Sequence, residues 1–197
     1  MSECERILRE LDTIVQEWIS VHRRSTSAAS QLHNLQDQAT KTQTQISTST
    51  SIPIQRLQLL LAMQISETES LLTSIRGHVH NYASVLRQLE SLDQRLSQYE
   101  FVVQHGIDQI AGITPQYVVD AVSDRRKQYS REYIRRRQLI EDLVVREKIG
   151  IAQFATEWME AKVDYATEED YLERLRLARM ARQWQANCAE SERLISK

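Results

Sequence analysis

Apolar residues along this chain return at alternating spacings of three and four, the pattern of helices that bury one side. In the first stretch Leu8, Leu11, Val15 and Trp18 keep that phase, and His22, Ser25, Ala29, Leu32 and Gln36 continue it. Ser2 followed by Glu5 has the spacing of a capping box, so a long first helix is predicted over 1–39. Its seam is apolar up to Trp18 and then turns small and polar, which permits close helix approach but buries little area. Residues 40–51 read TKTQTQISTSTS, with Lys41 the lone charge and Ile46 the lone apolar residue. Such a composition offers little burial to offset ordering entropy, so 40–52 is predicted to be a flexible linker.

Pro53 suits the first turn of a second helix, where a missing N–H costs nothing. From there Leu57, Leu61, Leu72, Ile75, Val79, Tyr82, Leu86, Leu89 and Leu96 hold the helical phase, predicting a helix over 53–103. At ~1.5 Å per residue it would run roughly 75 Å. Gly77 inside it lowers local propensity by ~1 kcal/mol. The stretch 104–114, QHGIDQIAGIT, holds two glycines and precedes Pro115, so it reads as a loop. A third helix is predicted over 115–149. Placed at 100° steps, Val118, Val122, Tyr129, Tyr133, Ile140 and Leu143 share a face. Arg125, Arg126, Arg136 and Arg137 fall at its borders, and Lys127, Arg131 and Arg135 line the far side. The remainder, 150–197, reads as shorter helices. Phe154 and Trp158 share a face there, Thr167 and Asp170 have capping-box spacing, and Leu172, Leu175, Ala178, Ala181 and Cys188 form a weak last stripe. The fold expected is all-α: an elongated hairpin or bundle of long helices with coiled-coil character.

Composition narrows the function classes. Only 4 Gly and 2 Pro in 197 residues disfavour turn-rich β architectures. The glycines never cluster into a phosphate-binding loop, which disfavours nucleotide folds. The net charge of −2 gives no overall basic excess, so nucleic acid is a disfavoured partner. Two cysteines, Cys4 and Cys188, make neither a disulfide framework nor a metal set. The charged N-terminus does not read as a signal peptide, and the apolar run Leu57 to Met63 is too short for a bilayer. The expectation is a soluble chain of the cytoplasm, the nucleus or both, without membrane contact.

No catalytic constellation emerges. There is no P-loop, H-E-x-x-H or C-x-x-C motif, and His78 and His80 point to different sides of a helix. The expectation is a non-enzyme that needs no cofactor and no metal. The most informative stretch is 125–137, crowded with arginine and tyrosine. Its bases spread around the helix rather than forming one broad positive face, which favours a protein partner over a phosphate backbone. Lys127, Tyr129, Arg131, Tyr133 and Arg135, with Trp158 as an aromatic anchor, are the candidate partner-binding residues. The candidate inter-helix seam is Leu8, Leu11, Val15, Trp18, Leu72, Ile75, Val79, Tyr82, Leu86 and Leu89.

The chain also resembles a family of helical adaptor subunits whose members include the ATPase-interacting ribosome maturation factor (AIRIM) and the cyclin-dependent-kinase-two-interacting protein (CINP). The resemblance is carried in order by Trp18, SAASQLHNL (27–35), LLTSIRGHV (71–79), GIDQIAGITPQ (106–116), KQYSREYIRRRQLIEDL (127–143) and EWMEAKVDYATEEDYLERL (157–175). It is collinear over nearly the whole chain. An extended region before the first helix, as in the kinase-interacting member, is missing. The resemblance implies a non-catalytic adaptor that binds a hexameric AAA+ ATPase together with a paralogous helical subunit. It implies roles in pre-60S ribosome maturation, in replisome proteostasis and genome maintenance, or in both. Read from the residues alone, a coiled-coil scaffold or tether and a nucleic-acid-binding helical module stay open as alternatives.

Overall fold

The computed structural model describes residues 3–48, 53–98 and 115–160, Val163, and helical positions scattered between 173 and 188. Regular structure among them is entirely helical: α1 (Glu3–Thr48), α2 (Ile54–Gln98), α3 (Pro115–Val144) and the short α4 (Ile151–Met159). The all-α expectation of long helices therefore holds. The predicted loop 104–114 and the Thr167–Asp170 cap lie outside the described residues.

The chain resolves into two compact units, and the three long helices contribute to both. Unit 1 combines residues 1–17, 85–130 and 163–197. Ile7, Leu8, Leu11, Ile14 and Val15 of α1 are buried here, as are Val85, Leu86, Leu89, Leu92 and Leu96 of α2 and Val118, Ala121, Val122 and Tyr129 of α3. Two cross-helix pairs fix the antiparallel register of α1 on α2: Gln88 donates to Glu17 at 3.1 Å, and Arg95 pairs with Glu10. Arg126 of α3 reaches Asp93 of α2 at 3.0 Å.

Unit 2 combines residues 18–84 and 131–162. Trp18, Val21, Ser25, Ala28, Ala29, Leu32 and Leu35 are buried from α1, Leu57, Ile75 and Tyr82 from α2, and Phe154, Ala155 and Trp158 from α4. Every expected seam residue is buried except Leu72 and Val79, which are half-buried. The small residues after Trp18 remain inside, as tight helix packing requires.

The flexible linker expected over 40–52 is corrected over 40–48, where α1 continues without interruption through Thr48; 49–52 lie outside the described residues. Its hydroxyls explain how. Thr40, Thr42, Thr44, Ser47 and Thr48 each donate to the carbonyl one turn back, at 2.9, 3.0, 2.9, 3.2 and 2.9 Å. These side chains satisfy themselves on the helix that they were expected to break. Thr42 is buried in unit 2, which adds a tertiary reason for order. The third helix is shorter than the predicted 115–149. It stops at Val144, and Glu147 at φ 50° takes the left-handed conformation that redirects the chain into α4.

Candidate functional site

The α3 seam departs from the sequence expectation. Val118, Val122, Arg125, Tyr129, Glu132, Arg136 and Leu139 are buried in strict alternation of four and three, with small Ala121 buried beside Val122. Two of the predicted border arginines thus lie inside, together with a glutamate that the face assignment passed over. Tyr133, Ile140 and Leu143 are only half-buried.

Unit 2 is organised around Arg136, whose side chain is fully buried. Its Nε donates to Glu132 Oε1 at 2.7 Å, Nη2 to His22 Nδ1 at 3.0 Å and Nη1 to Ser25 Oγ at 3.3 Å. The guanidinium also lies between two aromatic rings, 4.9 Å from the Tyr82 centroid and 4.7 Å from that of Trp158. Ser25 closes the cluster. Its single hydroxyl proton goes to the His22 carbonyl at 3.0 Å, so the Tyr82 hydroxyl, 2.9 Å away, donates to Ser25.

Glu132 is shared. Arg135 donates to both its oxygens, at 2.8 and 2.6 Å, and also to the carbonyls of Glu157 at 2.7 Å and Glu160 at 2.9 Å. Arg135 therefore caps the C-terminal end of α4 and ties it to α3. Burial by itself would raise the Glu132 carboxyl; the hydrogen bonds and charges of Arg135 and Arg136 outweigh it and hold the group below the usual range. Burial, and then Arg136, push His22 down to about 4. A neutral His22 is what Arg136 requires, since Nδ1 must accept. The cluster turns the groups of Arg136 inward onto protein partners, and its consequence is cohesion of α1, α2, α3 and α4 within the unit.

The candidate partner-binding residues separate accordingly. Tyr129 in unit 1 and Trp158 in unit 2 are fully buried. As anchors for a partner they are corrected: both are core, with Trp158 packed on Phe154 at 5.4 Å. Arg135 is committed to Glu132 and α4. Tyr133 is half-buried. Lys127 and Arg131 are exposed, and Lys127 lies 3.4 Å from Asp124. The basic-aromatic stretch is thus largely spent on folding.

The surface that stands out belongs to the beginning of α2. Ile54, Leu59, Leu60, Met63 and Ile65 are exposed, Leu59 by 65% and Met63 by 63%, while polar Gln64 on the same turns is buried. The amphipathic order is inverted there: an amide faces in and large aliphatics face out. Leu59, Leu60 and Met63 fall within about a quarter turn of one another. No charged residue stands between Arg56 and Glu67. The sequence pattern follows the helical phase through Leu57 and Leu61 and assigns Leu59, Leu60 and Met63 to no face, so this surface is not among the sequence expectations. The available signal was the run QLLLAMQI, whose apolar residues are too continuous for one stripe. Among the described residues no group of His, Cys, Asp and Glu is placed to hold a metal ion, and no helix is long and apolar enough to cross a membrane. Comparison with protein-family models, curated proteins and solved structures gave no match.

Proposed function

We propose that this chain is a non-catalytic adaptor that binds a second, paralogous helical subunit and, with it, a hexameric AAA+ ATPase. The observation that carries the reading is the uncovered apolar face of Leu59, Leu60 and Met63. A soluble helix keeps such residues out of water, and a contiguous exposed patch marks a contact surface. The face is uncharged, so its partner is read by shape and burial rather than by ion pairs. Another helix with a similar face meets that requirement. The ATPase, and a setting in pre-60S maturation or replisome proteostasis in the cytoplasm or nucleus, come from the resemblance of 27–35, 71–79, 106–116, 127–143 and 157–175 to the adaptor family.

Affinity purification of the tagged full chain from its own cells tests this reading. The expected result is co-purification of an AAA+ ATPase and a second small helical protein in fixed ratio. Recovery of the chain alone contradicts it. One feature favours a second reading, a self-paired coiled-coil scaffold: an uncharged face raises no like-charge barrier to a second copy. Light scattering on the purified chain separates the two, with twice the chain mass expected for the scaffold and the single mass for the adaptor awaiting its partner.

A further inference from the structure

α3 accompanies α1 and α2 only part of the way. Its Arg126 reaches Asp93 of α2 and its Arg136 lies over the Tyr82 ring, so α3 runs antiparallel to α2. Val144, the last residue of α3, lies about 12 Å beyond Arg136 along the axis, roughly level with Ser74 of α2. Glu147 then turns the chain, and Arg135 holds the carbonyls of Glu157 and Glu160, so α4 runs back beside α3. α1 and α2 go on without them, α1 to Thr48 and α2 from Ile54. This stretch, about 30 Å of α2, lies wholly in unit 2.

The rows that meet α3 continue into it, because heptad spacing keeps residues on one line along a paired helix. On α2 the row of Asp93 passes through Leu86 and Val79 to Leu72 and Ile65, and the row of Tyr82 leads through Ile75 to Leu61 and Ile54. Leu86 is 7% exposed, Val79 and Leu72 are half-buried and Ile65 is 51% exposed, so cover thins where α3 ends. On α1 His22 and Ser25, both bonded to Arg136, are followed at the same spacing by Gln36 and Gln43 and by Ala39 and Ile46. No position of these four rows is charged from Ile54 to Val79 or from Ala29 to Ile46.

The groove thus continues the line that a helix already fills, and a helix is its fitting occupant. That helix carries an uncharged stripe. α3 can hold Glu132 and Arg136 in its seam because the two pair with each other and His22, Ser25 and Tyr82 receive the guanidinium; the distal rows offer only aliphatics, amides and a hydroxyl. The groove is also distinct from the Leu59–Met63 face, since Ile65 points roughly half a turn away from Met63.

We propose that one helix of the paralogous subunit lies in this groove, end to end with α3, and contributes apolar residues at spacings of three and four over about 20 residues. The identity of the partner rests on the adaptor reading; the groove and the chemistry of its occupant rest on the rows.

The test uses the tagged full chain, purified from its own cells with the subunit that accompanies it. Gln43→benzoylphenylalanine and Gln58→benzoylphenylalanine place a photoreactive group at an exposed position of each wall. On irradiation both should link to the helical subunit, within one stretch of about 20 residues whose apolar stripe carries no charge. Ile54→Glu with Ile65→Glu, both exposed, should lower the co-purified subunit at least about tenfold with an unchanged circular dichroism spectrum. Links to a second copy, links scattered over several segments, no link while the subunit is present, or full retention of the subunit by the double variant overturns the proposal and leaves the adaptor reading standing. If the double variant unfolds, the links decide. Absence of any helical subunit from the wild-type preparation overturns the adaptor reading and this occupant with it.

Discussion

Within unit 2, α3 and the start of α2 reverse the usual distribution of polar and apolar side chains. α3 places Glu132 and Arg136 inside, whereas α2 leaves Leu59, Leu60 and Met63 outside. The charges of α3 are answered: a carboxylate, an imidazole, a hydroxyl and two rings surround one guanidinium. The leucines of α2 are not answered by any described part of the chain to a comparable degree. A buried charge with a full set of partners is a feature of the fold. An exposed aliphatic cluster beside a buried amide points to another molecule.

The largest expected effect comes from breaking the answered side. Arg136→Ala removes the counter-charge of a buried carboxylate and the filling between Tyr82 and Trp158, and should cost about 3–5 kcal/mol in urea unfolding. The paired change Glu132→Leu with Arg136→Met keeps volume without charge and should recover most of that loss. If the single change costs under about 1 kcal/mol, the cluster does not hold the unit together.

Next in size is the acid response. His22 has a folded value depressed to about 4 from 6.5, so its contribution is complete above 6.5 and is lost as pH falls toward 4. Glu132 is also depressed, so its contribution is lost at still lower pH, as the carboxyl protonates. With solvent screening of the half-buried ring, the His22 part is roughly 1–2 kcal/mol. Thermal melts between pH 7 and 4 should show the decline, and His22→Asn, which retains an acceptor but does not titrate there, should flatten it.

Smaller changes probe the helices themselves. Replacing buried Gln64 by Leu trades an amide whose Oε1 lacks a hydrogen-bond partner for apolar burial, and should stabilise the chain by about 1 kcal/mol in urea unfolding. Gly77 sits within α2 and a Cβ there meets nothing within 4 Å, so Gly77→Ala should add about 0.5–1 kcal/mol, read as a higher Tm.

Much of this arrangement was legible in the sequence. Leu8, Leu11, Val15 and Trp18, and Tyr82, Leu86 and Leu89, lie in the core that their spacing predicts. The errors share a physical origin: residue chemistry was weighed above position. Thr40 to Thr48 looked incapable of helix, yet each hydroxyl there can bond one turn back. Arg125 and Arg136 were placed at the border of the α3 face and Glu132 on no face, although 118, 122, 125, 129, 132, 136 and 139 keep the same alternation as the leucine seams. Trp158 looked like an anchor for a partner because an aromatic beside arginines fits both a core and an interface. Only the three-dimensional placement of Arg136 against its ring decides for the core. The exposed α2 face went unassigned because the helical phase was followed through Leu57 and Leu61, and Leu59, Leu60 and Met63 around them were given no face.

The most direct test of the central claim compares the wild-type chain with a Leu59→Glu, Met63→Glu double variant, each tagged and purified from its own cells. The variant should keep the helical circular dichroism signal and a Tm close to wild type, because both positions are exposed. It should lose the helical partner that accompanies the wild-type chain. A variant that retains the same partner in the same ratio would contradict the assignment of this face as the interface, and one that unfolds would show that the face belongs to the core.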